Sequence, residues 1–141
     1  MNSANEPIKS EVPPARILVV DDNNLVAKTI SLKLKGLGYQ VATALDAPEA
    51  LAAVRKDRPD LILLDINFPD DWDGFQIMEW LHRLDDSRKI PIIIITGSDD
   101  VKNEERAKAA GAAAFFRKPI DHDELLKVIR VLLSGNTPKP A

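Results

Sequence analysis

The sequence predicts a doubly wound α/β domain, a five-stranded parallel sheet with helices on both faces, and three observations lead there. Short apolar runs alternate with helical patterns five times between Arg16 and Ser134. Such alternation builds right-handed βαβ units around a mostly parallel sheet. The runs at 17–20, 61–64 and 90–95 are almost wholly apolar, as strands covered on both faces require. Four of the five runs stop abruptly at a polar or charged residue, and in open α/β sheets ligands bind outside the carboxyl ends of the strands.

Residues 1–15 mix Asn, Ser, Glu and Pro and offer too little apolar surface to offset ordering entropy, so a flexible leader is expected. Ile17 to Val20 is the first strand, ending in Asp21, Asp22 and Asn23. The next helix is expected to bury a stripe of Leu25, Val26, Thr29, Ile30, Leu32 and Lys33, with Gly36 and Gly38 stopping it. Tyr39 to Leu45 alternates as a strand nearer the edge. Ala47 to Arg58 is a second helix with Ala50, Leu51 and Val54 inward, ended by Pro59 and Asp60.

Leu61 to Leu64 then runs straight into Asp65. Gly74 opens a third helix that turns Phe75, Ile77, Met78 and Leu81 to the core. Ile90 to Ile95 is the fourth strand, meeting Thr96, Gly97 and Ser98. Asp99 to Ala110 is a polar fourth helix capped by Gly111. Ala113 to Phe116 is the fifth strand and leads to Arg117, Lys118 and Pro119. Asp121 caps the last helix, with Glu124 completing a capping box and Leu125, Leu126, Val128, Ile129 and Leu132 as its apolar set. Gly135 ends that helix, and 136–141 form a frayed tail. The expected organisation is leader 1–15, one domain over 16–134 and tail 135–141.

The totals narrow the chemistry. A chain of 141 residues carries net charge −3 with no concentration of Lys and Arg, which argues against a surface that neutralises nucleic-acid phosphates. There is no cysteine, which excludes disulfides, thiolate catalysis and Cys-type zinc sites. His82 and His122 stand 40 residues apart, without metal-ligand spacing, and are expected on the surface. No apolar run approaches the length of a membrane span and no signal segment is visible, so a cytoplasmic location is expected, with no membrane partner.

In a parallel sheet the strand ends at Asp21 and Asp22, Asp65, Thr96 and Lys118 converge on one crevice. Two carboxylates about 5 Å apart repel by roughly 3 kcal/mol at an effective dielectric near 20. Three of them call for a cation or a proton. Lys118 supplies one charge, and hard oxygen ligands favour Mg²⁺ or Mn²⁺ over zinc or copper. A carboxylate, a metal ion, a hydroxyl and a lysine together can stabilise a transferring phosphoryl group. Asp65 is then the nucleophile and forms an aspartyl phosphate.

The chain resembles the receiver domain of two-component response regulators over nearly all of 16–134. The matching residues are Val19 to Asp22, Leu63 to Asp65, Pro69, Gly74, Ile95 and Thr96, and Lys118 and Pro119. The resemblance implies a flavodoxin-like strand order 2-1-3-4-5. It implies that Asp65 accepts a phosphoryl group from a phosphohistidine on a sensor histidine kinase or histidine phosphotransfer protein. Asp21, Asp22, Asp65 and the backbone carbonyl of Asn67 would hold Mg²⁺, Thr96 and Lys118 would meet phosphoryl oxygens, and Thr96 with Phe115 would form the switch. An unidentified output protein would read the surface of the fourth helix, fifth strand and fifth helix, where Lys102, Glu105 and Arg106 are expected to be exposed. Three departures stand out. The stretch from Asp65 to Gly74 is one residue longer than the commonest spacing and carries Asp70, Asp71 and Asp73; Gly97 replaces a common alanine; and Phe115 has no hydroxyl.

Other classes fit less well. A hydrolase resembling the haloacid dehalogenases needs an acid two residues after the nucleophile, where Asn67 cannot transfer protons. No turnover of an external substrate is therefore expected. A flavodoxin-like cofactor binder needs a phosphate loop after the first strand, where Asp21 and Asp22 repel phosphate. A binding-only relative typically lacks an acid, the threonine or the lysine, and all are present here.

Overall fold

The computed structural model describes residues 14–66, 74–84, 90–97 and 101–134. Strands β1 (Arg16–Val20), β2 (Gln40–Ala44), β3 (Leu61–Asp65), β4 (Ile92–Thr96) and β5 (Ala114–Arg117) alternate with five helices. These are α1 (Asn24–Gly36), α2 (Ala47–Lys56), α3 (Gly74–Leu84), α4 (Val101–Ala109) and α5 (His122–Leu133). The sheet is parallel, as the alternation of elements predicts, in the order β2-β1-β3-β4-β5 that the family resemblance implies. Residues 1–13 of the expected leader, and 135–141 with Gly135, lie outside the described residues. No helix among the described residues is long and apolar enough to cross a membrane.

The two-residue period of a strand divides the core into two layers. Leu18, Val20, Ile62, Leu64, Ile92 and Ile94 pack with Ala50, Val54, Ile77, Met78, Leu81 and Ala107 on the face covered by α2, α3 and α4. Ile17, Val19, Leu61, Leu63, Ile93 and Ile95 pack with Ala27, Ile30, Leu34, Leu125 and Ile129 on the face covered by α1 and α5. Every residue of β3 and β4 is buried, which explains their unbroken apolar runs.

The inner face of α1 differs from the expected stripe. Ala27, Ile30, Ser31 and Leu34 are buried, while Leu25 and Leu32 are 74% and 61% exposed and Thr29 and Lys33 face solvent. Both sets have helical spacing. Small Ala27 and Ser31 allow the helix to lie close to the sheet, an advantage that a search for large apolar residues overlooks. Leu51 is likewise only half-buried, and Ala47 joins Ala50 and Val54 inside α2. On α5, Leu125 and Ile129 are buried and Leu126, Val128 and Leu132 partly so.

Element ends shift by one or two residues for identifiable reasons. Gly36 is still helical, and the stop is Gly38 at φ +101°. There the Tyr39 N–H donates to Leu34 O and the Gly38 N–H to Lys35 O, a Schellman motif. It holds Tyr39 back from the strand, and β2 begins at Gln40. Gly111 at φ +94° ends α4 the same way, through Ala112 N–H to Ala107 O and Gly111 N–H to Lys108 O. The second helix stops at Lys56 with Asp57 as its cap, short of Arg58. Ile90 and Pro91 precede β4, which includes Thr96, and β5 includes Arg117 and omits Ala113. Of the expected fourth helix, residues 99 and 100 lie outside the described residues and Ala110 falls in its closing turn. Asp121 caps α5 by accepting from the Asp123 and Glu124 N–H groups, while the Glu124 carboxylate lies 3.6 Å from Lys127. A reciprocal arrangement stands instead at α2, where Asp46 accepts from Glu49 N–H and Glu49 accepts from Leu45 N–H, both at 2.8 Å.

Candidate functional site

Strand register aligns the candidate residues. Val20 pairs with Leu64, so the next residues along each strand, Asp21 and Asp65, emerge at one level. Asp65 pairs with Ile95, directly before Thr96, and Thr96 pairs with Arg117, directly before Lys118. The Lys118 N–H continues the ladder by donating to Thr96 O at 2.8 Å. Asp21, Asp65 and Thr96 are buried, at 3%, 4% and 0% exposure, and Asp22 faces solvent.

Lys118 joins the acids. Its ammonium Nζ donates to Asp65 Oδ2 at 3.0 Å and to Asp21 Oδ2 at 3.3 Å. Burial pulls its pKa down, but the hydrogen bond and charge of Asp65, followed by those of Asp21, outweigh it and leave the pKa above the ordinary 10.5. The other Asp21 oxygen, Oδ1, accepts from the Asn23 N–H at 2.9 Å. Asn23 also caps α1, its side chain accepting from Leu25 and Val26 N–H. One residue thus starts the helix and holds a carboxylate. Sequence reading passed over Asn23 because its contact to Asp21 is made by the backbone; an acid two residues before a helix cap is the available signal.

One carboxylate oxygen from each of Asp21, Asp22 and Asp65 lies within 4.8 Å of the others. Three carboxylates against one ammonium leave a local charge near −2. The donor set is all hard oxygen and fits Mg²⁺ or Mn²⁺. Asn67 and the acids of 70–73, together with Pro69, lie outside the described residues.

Glycine shapes the surroundings twice. A Cβ on Gly74 would stand 2.3 Å from Ile66 Cα, so α3 starts directly against the backbone that follows Asp65. A Cβ on Gly97 would meet nothing closer than Lys118 Cδ at 3.9 Å, which leaves room beside the ammonium. Phe115 is half-buried against the α2–α4 layer, with the Arg117 guanidinium 5.9 Å from its ring centroid. The histidines are less exposed than expected: both are partly buried, and His122 Nδ1 is 2.9 Å from Lys33 Nζ.

A family model for the response regulator receiver domain matches residues 17–130. The chain belongs to that family. PleD of Caulobacter vibrioides is 40% identical over 118 residues, 84% of this receiver domain chain and 26% of PleD. MprA of Mycolicibacterium vanbaalenii is 38% identical over 125 residues, 89% of this chain and 53% of MprA. PilH of Pseudomonas aeruginosa is 35% identical over 121 residues, 86% of this chain and 99% of PilH. The chain therefore spans about a quarter of PleD and half of MprA, but nearly all of PilH. Among solved structures, a CheY-like receiver domain protein of Methanospirillum hungatei matches with TM-score 0.78 at 32% identity, covering 86% of this chain and 95% of that one. CheY4 of Vibrio cholerae matches with TM-score 0.77 at 32% identity, covering 85% and 99%. Receiver domains are signalling domains of two-component systems.

Proposed function

We propose that this receiver domain takes a phosphoryl group onto Asp65 from a phosphohistidine of a sensor histidine kinase or histidine phosphotransfer protein, and relays the signal by protein contact. The observation that carries this reading is the buried Asp65 carboxylate beside Lys118, at 3.0 Å, with Asp21 and Asp22 alongside. An Asp65 oxygen attacks phosphorus as the bond to the imidazole nitrogen breaks. The bonding pair stays on that nitrogen, which takes up a proton. The Lys118 ammonium pairs with one phosphoryl oxygen and the Thr96 hydroxyl donates to another. Asp21, Asp22, Asp65 and the Asn67 carbonyl would hold Mg²⁺, with Mn²⁺ as a substitute, and the bound ion supplies positive charge to the phosphoryl oxygens. Thr96 then moves toward the phosphoryl group, Phe115 follows, and the α4-β5-α5 surface changes for the output protein. No external substrate is turned over, and the domain works in the cytoplasm, where ATP supplies the kinase. Intact mass after incubation with Mg²⁺ and acetyl phosphate tests this. Wild type should gain one phosphate, Asp65→Ala none, and a chelator should abolish the gain. No gain in wild type, with acetyl phosphate or a cognate kinase, overturns it.

The donor has to reach the carboxyl edge of the sheet, and α1 borders it. An apolar groove of about 310 Å³ runs between Leu25, Val26, Thr29 and Ile30 on one side and Lys118, Pro119, Ile120 and His122 on the other. Lys28, Lys33 and Lys35 lie on α1, which has no acid. The fitting occupant is an acidic amphipathic helix of the donor. Leu25→Glu should slow transfer from the donor protein about ten-fold and leave labelling by acetyl phosphate unchanged. Equal slowing of both reactions would rule the surface out.

A further inference from the structure

Few described side chains of α4 reach the core. Among its described side chains only Ala107 is buried, whereas α3 seats Phe75, Ile77, Met78 and Leu81 in the core. A specific contact crosses from one helix to the other: the Arg106 guanidinium lies 4.1 Å from the centroid of the Phe75 ring, within cation–π range. That ring is firmly placed. Phe75 is 9% exposed and follows Gly74, whose close approach to Ile66 fixes the first turn of α3 against the residue after Asp65. Contacts thus run without a break from Asp65 through Ile66, Gly74, Phe75 and Arg106 into α4.

We infer that the Arg106–Phe75 contact is a latch that sets the resting position of α4. It gives the phosphoacceptor strand a second mechanical connection to α4, separate from the one through Thr96 and Phe115. The inference rests on the phosphoacceptor reading and adds how α4 is held before phosphorylation. A cation–π contact at a solvent-accessible site changes a two-state ratio by about two- to five-fold. Without it, α4 leaves its resting position that much more often, and phosphorylation finds the helix already partly released.

Amide hydrogen exchange on the unphosphorylated full chain tests the latch. Arg106→Met keeps the aliphatic stem and removes the cation; Phe75→Leu keeps an apolar side chain and removes the ring. Both should speed exchange of the protected α4 amides about two- to five-fold, and Arg106→Met, which leaves the core intact, should leave β1, β3 and α5 unchanged. In both variants the α4 amide resonances should also move along the line joining their unphosphorylated and phosphorylated wild-type positions. Unchanged α4 exchange in either variant, faster exchange throughout the domain in Arg106→Met, or displacement off that line overturns the latch. The phosphoacceptor reading fails by a different sign, a missing mass gain in wild type, which the exchange comparison does not use.

Discussion

Lys118 is the residue on which the resting site depends. Its ammonium sits between Asp65 and Asp21, where it offsets part of the repulsion among three carboxylates. Its pKa is raised, burial being outweighed by the Asp65 and Asp21 contacts. A raised lysine pKa contributes stability that is fully present below the unfolded value and is lost as pH rises through the folded value. The lysine contribution therefore persists through neutral pH and disappears only in strong alkali. Breaking a buried ion pair typically costs 3–5 kcal/mol. With the Lys118 side chain 28% exposed, Lys118→Met should cost less, about 2 kcal/mol without divalent metal. Because a bound cation answers the same charge, saturating Mg²⁺ should recover most of that loss. Urea titrations with and without Mg²⁺ check this, and an identical loss in both would show that Lys118 acts through packing alone. The variant should also label poorly with acetyl phosphate, having lost a partner for the phosphoryl oxygens.

At the scale of elements, Gly74 shows how a helix start is tied to the site. Alanine in a helix is favoured over glycine by about 1 kcal/mol, so propensity alone predicts that Gly74→Ala stabilises. The added Cβ would fall 2.3 Å from Ile66 Cα and 2.6 Å from its Cβ, and backbone cannot yield as a flexible side chain does. Overpacking costs about 1–3 kcal/mol and should win, lowering the urea midpoint with an unchanged slope. A variant as stable as wild type would refute the close approach. The glycine was visible in the sequence as a helix opener, but the reason for it was not, because Ile66 meets it only in three dimensions. The same division holds elsewhere. Strands β1, β3 and β4 were legible from continuous apolar runs, and Asp21, Asp65 and Thr96 from where those runs stop. The buried face of α1 is not legible in the sequence, because periodicity admits two stripes and only sheet contact selects Ala27 and Ser31. Strand ends moved where backbone bonding decides, as at Tyr39, which the Schellman turn retains. Asn23 was missed because its contact to Asp21 is made by an N–H that every non-proline residue has.

Across the whole molecule, the site gathers residues from both ends of the domain, Asp21 through Lys118, at the carboxyl edge of one sheet. Any cation held there binds only the folded arrangement, since the unfolded chain scatters its ligands. By linkage, Mg²⁺ at a hundred times its dissociation constant should stabilise the fold by about 2.7 kcal/mol. For a domain of this size that is a rise in melting temperature of roughly 10 °C. Asp22 offers the cleanest test because it is exposed while its carboxylate lies in the acidic cluster. Asp22→Ala buries no new group and removes one of three like charges, so without metal its melting temperature should equal or slightly exceed that of wild type. With Mg²⁺ the variant should lose most of the rise, while NaCl at matched ionic strength should move both proteins alike. An equal Mg²⁺ response in the two proteins would mean that the ion acts elsewhere on the surface, and the assignment of Asp22 as a ligand would fall.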